Sequence, residues 1–112
     1  MKIYFINDEN ANSIEVLNML AQNESISIIE KKEYSFRTTK NDYVIVGNFK
    51  MKNTNNESLK KYNNLIALVD SKDEETVSLL ADEFNTRDVI YSHLDAKYIV
   101  QRIIRCISEN ME

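Results

Sequence analysis

The chain has one glycine, Gly47, no proline, one cysteine, Cys106, and one histidine, His93. A single glycine leaves no glycine-rich loop behind a strand. Nucleotide or flavin binding by a cradle of backbone amides therefore finds no support. Cys106 has no partner for an internal disulfide, and Cys106 with His93 falls short of a metal ligand set. There is no G-x-S-x-G elbow and no Ser-His-acid combination for nucleophilic catalysis. No apolar run approaches the ~20 residues of a membrane span. No charged stretch followed by an apolar segment opens the chain, so no signal peptide is predicted; a cytoplasmic location is expected. The net charge of −4 argues against a clustered basic face for gripping nucleic acid. With so little glycine and no proline, turns must be built from Asn, Asp and Ser, which bond their own backbone or tolerate left-handed conformations.

What is present reads as one α/β domain over residues 1–112, with 43% hydrophobic and 29% charged residues. Five apolar runs predict strands at Ile3–Ile6, Ile26–Ile29, Tyr43–Val46, Leu65–Val69 and Val89–Tyr91. Most are continuous rather than alternating, as in parallel strands covered on both faces. Helical periodicity predicts a first helix over Ala11–Gln22 burying Ile14, Leu17, Leu20 and Ala21. A fourth helix is predicted over Asp73–Phe84 through Val77, Leu80, Ala81 and Phe84. A fifth runs over Asp95–Glu109 through Val100, Ile103, Ile104 and Ile107, with Asp95 as N-cap. Only Glu30–Asn41 joins strands two and three, so the second helix is short or irregular. The third is a short helix over Glu57–Tyr62 behind an exposed, mobile loop at Asn53–Asn56. The expected architecture is a flavodoxin-like, doubly wound, five-stranded parallel sheet of order 2-1-3-4-5 with shortened second and third helices.

In that order the switch point lies between strands one and three, and ligands sit outside their carboxyl ends. The crevice is expected between Asn7, Asp8 and Glu9 on one side and Gly47, Asn48 and Phe49 on the other.

These strand ends resemble a response-regulator receiver domain (CheY-like fold), over almost the whole chain and at the level of pattern. In that family two acidic residues after strand one hold a divalent metal, and an aspartate ending strand three accepts a phosphoryl group. A Thr or Ser ending strand four and a Lys ending strand five sense it. Lys2-Ile3-Tyr4-Phe5-Ile6-Asn7-Asp8-Glu9 places Asn7 and Asp8 on the acidic positions. Asp42-Tyr43-Val44-Ile45-Val46-Gly47 places Gly47 on the acceptor. Val69 takes the Thr/Ser position, unless a small slip offers Ser71. In Asp88-Val89-Ile90-Tyr91-Ser92-His93-Leu94, Ser92 replaces the lysine, His93 the following proline, and Val89 the switch aromatic. The resemblance thus implies a degenerate receiver: a lost acceptor at Gly47, lost switch positions at Val69, Ser92 and Val89, and a relic acidic pocket at Asn7, Asp8 and Glu9. One carboxylate with amide oxygens makes a poor Mg²⁺ site, so no metal and no cofactor are expected. Asp95-Ala96-Lys97-Tyr98-Ile99-Val100-Gln101-Arg102-Ile103 further resembles the OmpR/PhoB transcription-factor branch. That likeness carries over Asp88, Lys97, Arg102 and Arg105 as candidates for a homodimer face of fourth helix, fifth strand and fifth helix. DNA would be reached only through an effector domain beyond Glu112.

Other readings of the same residues stay open. Asp8 and Glu9 suit a solvated turn capping the first helix, and Arg102 and Arg105 suit a helix C-terminus. Cys106 reads as a small side chain at the core's edge, His93 as a loop residue, and Tyr43, Tyr91 and Tyr98 as packing. The expectation is a non-enzymatic, phosphorylation-independent regulatory domain acting through dimerisation or partner binding. The alternatives are an active response regulator with a non-standard acceptor, or an unrelated flavodoxin-like ligand- or protein-binding module.

Overall fold

A computed structural model describes residues 1–7, 11–70 and 73–109. Five parallel strands, β1 (Ile3–Ile6), β2 (Ile28–Lys31), β3 (Tyr43–Phe49), β4 (Leu65–Val69) and β5 (Thr86–Tyr91), form one sheet of order β2-β1-β3-β4-β5. The helices are α1 (Ala11–Ala21), α2 (Glu74–Glu83) and α3 (Ala96–Glu109), with a 3₁₀ helix at Thr54–Lys61. The expected flavodoxin-like order is therefore present. α2 and α3 are the helices anticipated as fourth and fifth.

The three central strands are buried along their whole length, so their unbroken apolar runs have a physical cause: both faces are covered. On one face Ile3, Phe5, Ile45, Ile66, Leu68 and Ile90 pack against α1 and α3. On the other, Tyr4, Val44, Val46, Ala67 and Val69 pack against the 3₁₀ helix and α2.

Several expected faces turn by one position. α1 buries Ser13, Val16, Leu17 and Leu20, while Ile14 and Ala21 are exposed. α2 buries Thr76, Leu80 and the following Phe84, and leaves Val77 and Ala81 in solvent. α3 keeps its expected stripe, with Ile99, Val100, Ile103, Cys106 and Ile107 inward and Ile104 partly so. β2 lies two residues later than expected, and β5 starts three residues earlier.

No helix forms between β2 and β3. Residues 32–42 cross instead as an extended strap, and aromatic rings take the place of a helix face. Phe36 lies 4.9 Å from Tyr4 and 5.0 Å from Tyr62, ring centre to ring centre. The Tyr62 hydroxyl donates to the Tyr34 carbonyl (2.7 Å) and accepts from the Phe36 amide (3.1 Å). Two hydrogen bonds through one buried hydroxyl fix the strap's path.

Asn and Asp side chains do the turn-building that glycine and proline do elsewhere. Asn64 donates to the carbonyls of Lys40 and Asp42, and Asn85 to that of Tyr62. Asn53 caps the 3₁₀ helix by accepting from the Asn55 amide, and Asn56 is buried. The segment expected as an exposed, mobile loop is thus a capped helix start. Asp73 caps α2 through the Thr76 amide at 2.7 Å, with Glu74 and Glu75 in the turn where the helix dipole favours negative charge. Asp95 accepts from the Lys97 amide and so begins α3, as expected.

Candidate functional site

The crevice at the carboxyl ends of β1 and β3 is the first place to look for chemistry. Asp8, Glu9 and Ser71 lie outside the described residues. Of the remaining expected lining, the Asn7 amide donates to Glu30 on the β2 side at 2.6 Å. Gly47 sits where the β3–β4 register shifts, between Val46 and Phe49. A Cβ on Gly47 would stand 2.3 Å from Ser13 Oγ, 2.9 Å from the Ile6 carbonyl oxygen and 3.2 Å from Phe5 Cε1. The position therefore does more than lack a carboxylate: α1 and β1 fill the volume any side chain would need. The backbone there is not left-handed, so crowding alone requires the glycine.

The neighbouring strand ends are also tied shut. Ser92, at the position the resemblance gives to lysine, is buried and donates to Asp70 Oδ1 at 2.8 Å. Its amide donates to the Val69 carbonyl at 2.8 Å. Asn12 of α1 donates to the carbonyls of Ser92 and Leu94, joining the first helix to the β5–α3 turn. Val69 is fully buried and Val89 packs against the α2-side core. These groups are neutral, buried or already bonded, and none presents a cation to a transferring phosphoryl group. Among the described residues no cluster of three or more His, Cys, Asp or Glu could hold a metal ion. Two acceptors beside Gly47, Ser13 Oγ and Asn48 Oδ1, are buried without a hydrogen-bond partner.

The expected interface residues do converge, though within one chain. Asp88 and Arg102 form a bidentate ion pair, Nε to Oδ2 at 3.0 Å and Nη2 to Oδ1 at 2.9 Å. Hydrogen bonding to Asp88 holds the Arg102 pKa above its ordinary value. The pair sits in a cleft of about 620 Å³ between β5 and α3, whose lining includes Arg87, Tyr98, Gln101 and Arg105. Lys97 is exposed and does not line it. Cys106 closes the cleft's floor; burial pushes its thiol pKa up, away from the reactive thiolate. His93 is an exposed loop residue whose ring lies 5.0 Å from that of Tyr91.

Arg87 and Gln101 were not among the candidate interface residues read from the sequence. Arg87 stands in β5, one residue before Asp88, and only the strand's early start brings it alongside α3. Tyr98, expected to pack, is 48% exposed at the cleft. No protein-family model, no curated protein and no solved structure matches the chain.

Proposed function

We propose that this is a non-enzymatic, receiver-like regulatory domain that works without phosphorylation, through self-association or partner binding. The observation that carries the reading is Gly47: the place for a phosphoryl acceptor has no carboxylate and no room for one. Phosphoryl transfer to a receiver also needs charge neutralisation around the acceptor, whereas Ser92 and Val69 are turned to hydrogen bonding and packing.

The partner is a second copy, docked across the edge strand β5. Val77, 38% exposed, and Ala81 form an apolar flank of α2 in solvent. This flank lies opposite the one from which Glu83 bonds Lys60 of the 3₁₀ helix. α2 carries Glu74, Glu75, Asp82 and Glu83 and no basic residue, while Arg87, Arg102 and Arg105 gather between β5 and α3. A two-fold axis at β5 brings acidic α2 against basic α3 twice, by symmetry. DNA would be contacted only through an effector domain outside this chain.

Intact-mass measurement after incubation with acetyl phosphate and Mg²⁺ tests the first half, and no adduct is expected. A stable adduct on Asp8, Asp42 or Asp70 would establish an active regulator with a non-standard acceptor instead. Sedimentation velocity tests the second half: Val77→Glu is expected to abolish association. A concentration-independent monomer in the unmodified protein would overturn the dimer.

A further inference from the structure

The cleft between β5 and α3 has a construction that self-association does not require. Two of its guanidiniums are held from behind. Arg102 is gripped by both oxygens of Asp88, and Arg87 donates through Nε to Asn64 Oδ1 at 2.9 Å. Arg87 is thereby anchored by the inner nitrogen, which leaves its outer edge for another partner. Arg105, one turn beyond Arg102 on α3, has no hydrogen bond or ion pair among the described residues.

Three guanidiniums thus line one concavity, against the two carboxylates of Asp88 and Glu109. Asp88 is already spent on Arg102, and the whole chain carries −4. A local excess of positive charge on an acidic protein selects for anions. Guanidiniums fixed by neighbours present their donors in a planar fork that matches phosphate or carboxylate oxygens in pairs. The exposed Tyr98 ring stands beside Arg102 at the cleft, offering a flat face for stacking. Gln101 adds an amide that both donates and accepts. The cleft volume of about 620 Å³ falls in the ~300–1,000 Å³ range of small-molecule sites.

We infer that the β5–α3 cleft binds a phosphate-bearing ligand of nucleotide size, with Arg87 and Arg105 on the phosphate and Tyr98 against a planar ring. Recognition here is by side chains, so it needs no glycine-rich loop. The site is complete within one chain, and because the same arginines face the partner copy's α2 in the proposed dimer, ligand and partner compete for them.

Binding is read by NMR titration of the ¹⁵N-labelled protein with ADP, GDP and inorganic phosphate, at protein concentrations spanning monomer and any dimer. A nucleoside diphosphate is expected to shift amides of residues 86–88 and 98–109. Affinity should fall about tenfold or more in Arg87→Gln and in Arg105→Gln, each of which removes a charge-assisted donor pair. Both residues are exposed, so neither change threatens the fold. Val77→Glu, which abolishes association in the proposed dimer, should bind at least as tightly as the unmodified protein, which reads the site in the monomer alone. No shifts at millimolar ligand, or shifts that survive both arginine changes, would overturn the site. Equal affinity for inorganic phosphate and for both nucleoside diphosphates would overturn the role given to Tyr98.

Discussion

Replacing Gly47 with alanine adds one methyl group where the structure has no space, and its cost can be worked out in advance. The added Cβ meets Ser13 Oγ at 2.3 Å and the Ile6 carbonyl oxygen at 2.9 Å. The serine hydroxyl can rotate to another staggered position at modest cost. The Ile6 carbonyl cannot move so freely, because β1 is paired with β2 on one side and β3 on the other. Overpacking of this kind costs about 1–3 kcal/mol. Alanine for glycine at a permissive backbone would otherwise stabilise by about 0.4–1 kcal/mol through the unfolded chain, so any net loss measures the crowding. A drop near 2 kcal/mol corresponds to roughly 8 °C in Tm for a domain of this size. Ser13→Ala removes a buried hydroxyl without a partner and should be neutral or stabilising by up to about 1 kcal/mol. In the double variant the Ser13 contact is gone but the Ile6 contact remains, so stability should recover in part, with non-additivity of roughly 0.5 kcal/mol or more. Urea unfolding followed by far-UV circular dichroism gives all four values. If Gly47→Ala matches the unmodified protein, or the two changes are simply additive, the strand end is open and the exclusion of an acceptor side chain is wrong.

Three further outcomes are expected. Asp42 is buried at the start of β3; burial would push its pKa up, but hydrogen bonds from the Thr39 and Lys2 amides outweigh that and hold it below the ordinary 3.8. A carboxylate depressed in the folded state stabilises above its unfolded pKa and ceases to as pH falls through the folded one. Urea midpoints should therefore decline below about pH 4, and less steeply in Asp42→Asn. Tyr62→Phe removes both hydrogen bonds to the strap and should cost about 1–3 kcal/mol, with amide exchange accelerating at Phe36; unchanged exchange there would mean that the rings alone hold the strap. Arg102→Ala should lower monomer stability by about 1 kcal/mol, near the upper end for surface pairs because the contact is bidentate and half-buried, so a loss of dimer in that variant must be read beside its unfolding curve.

The sheet was legible because burial on both faces wrote itself into continuous apolar runs, and because Ile3–Ile6 and Leu65–Val69 are bounded by polar residues, Lys2 and Asn7 for the one and Asn64 and Asp70 for the other. Helix faces were less so. Val77 and Ala81 fit the helical period as well as Thr76 does, and hydrophobicity alone sets α2 one position out of turn. What decides is the sheet beneath: Leu80 and Phe84 enter the core between Phe49 and Leu59, and Thr76 follows them. The strap could be foreseen only as a connection too short for a full helix, since its path depends on Tyr62, some 26 residues from Phe36 in sequence. Gly47 was visible as a missing carboxylate, but the filled space around it was not, because Ser13 reaches it from another element. The arginine cleft was half visible: Arg102 and Arg105 share a helix face, whereas Arg87 joins them only through the β4–β5 register shift between Leu65 and Ile66.

The two ends of the structure point the molecule's activity away from the place where this architecture usually puts it. A doubly wound sheet offers its crevice at the switch point between β1 and β3, and here Ser13 crowds Gly47 at that point, while Asn12, Ser92 and Asp70 bond to one another beside it, at the ends of β4 and β5. Charge and exposed apolar surface collect instead along β5, an edge strand flanked by α2 and α3. An edge strand must be covered or protected in solution, and β5 carries Arg87 and Asp88 along its first half, with Val77 and Ala81 to one side. Charged side chains blunt non-specific pairing while leaving a surface that a matching partner can recognise. At the strand's far end Ser92, just after β5, donates to Asp70 just after β4, so the edge strand is tied to its neighbour.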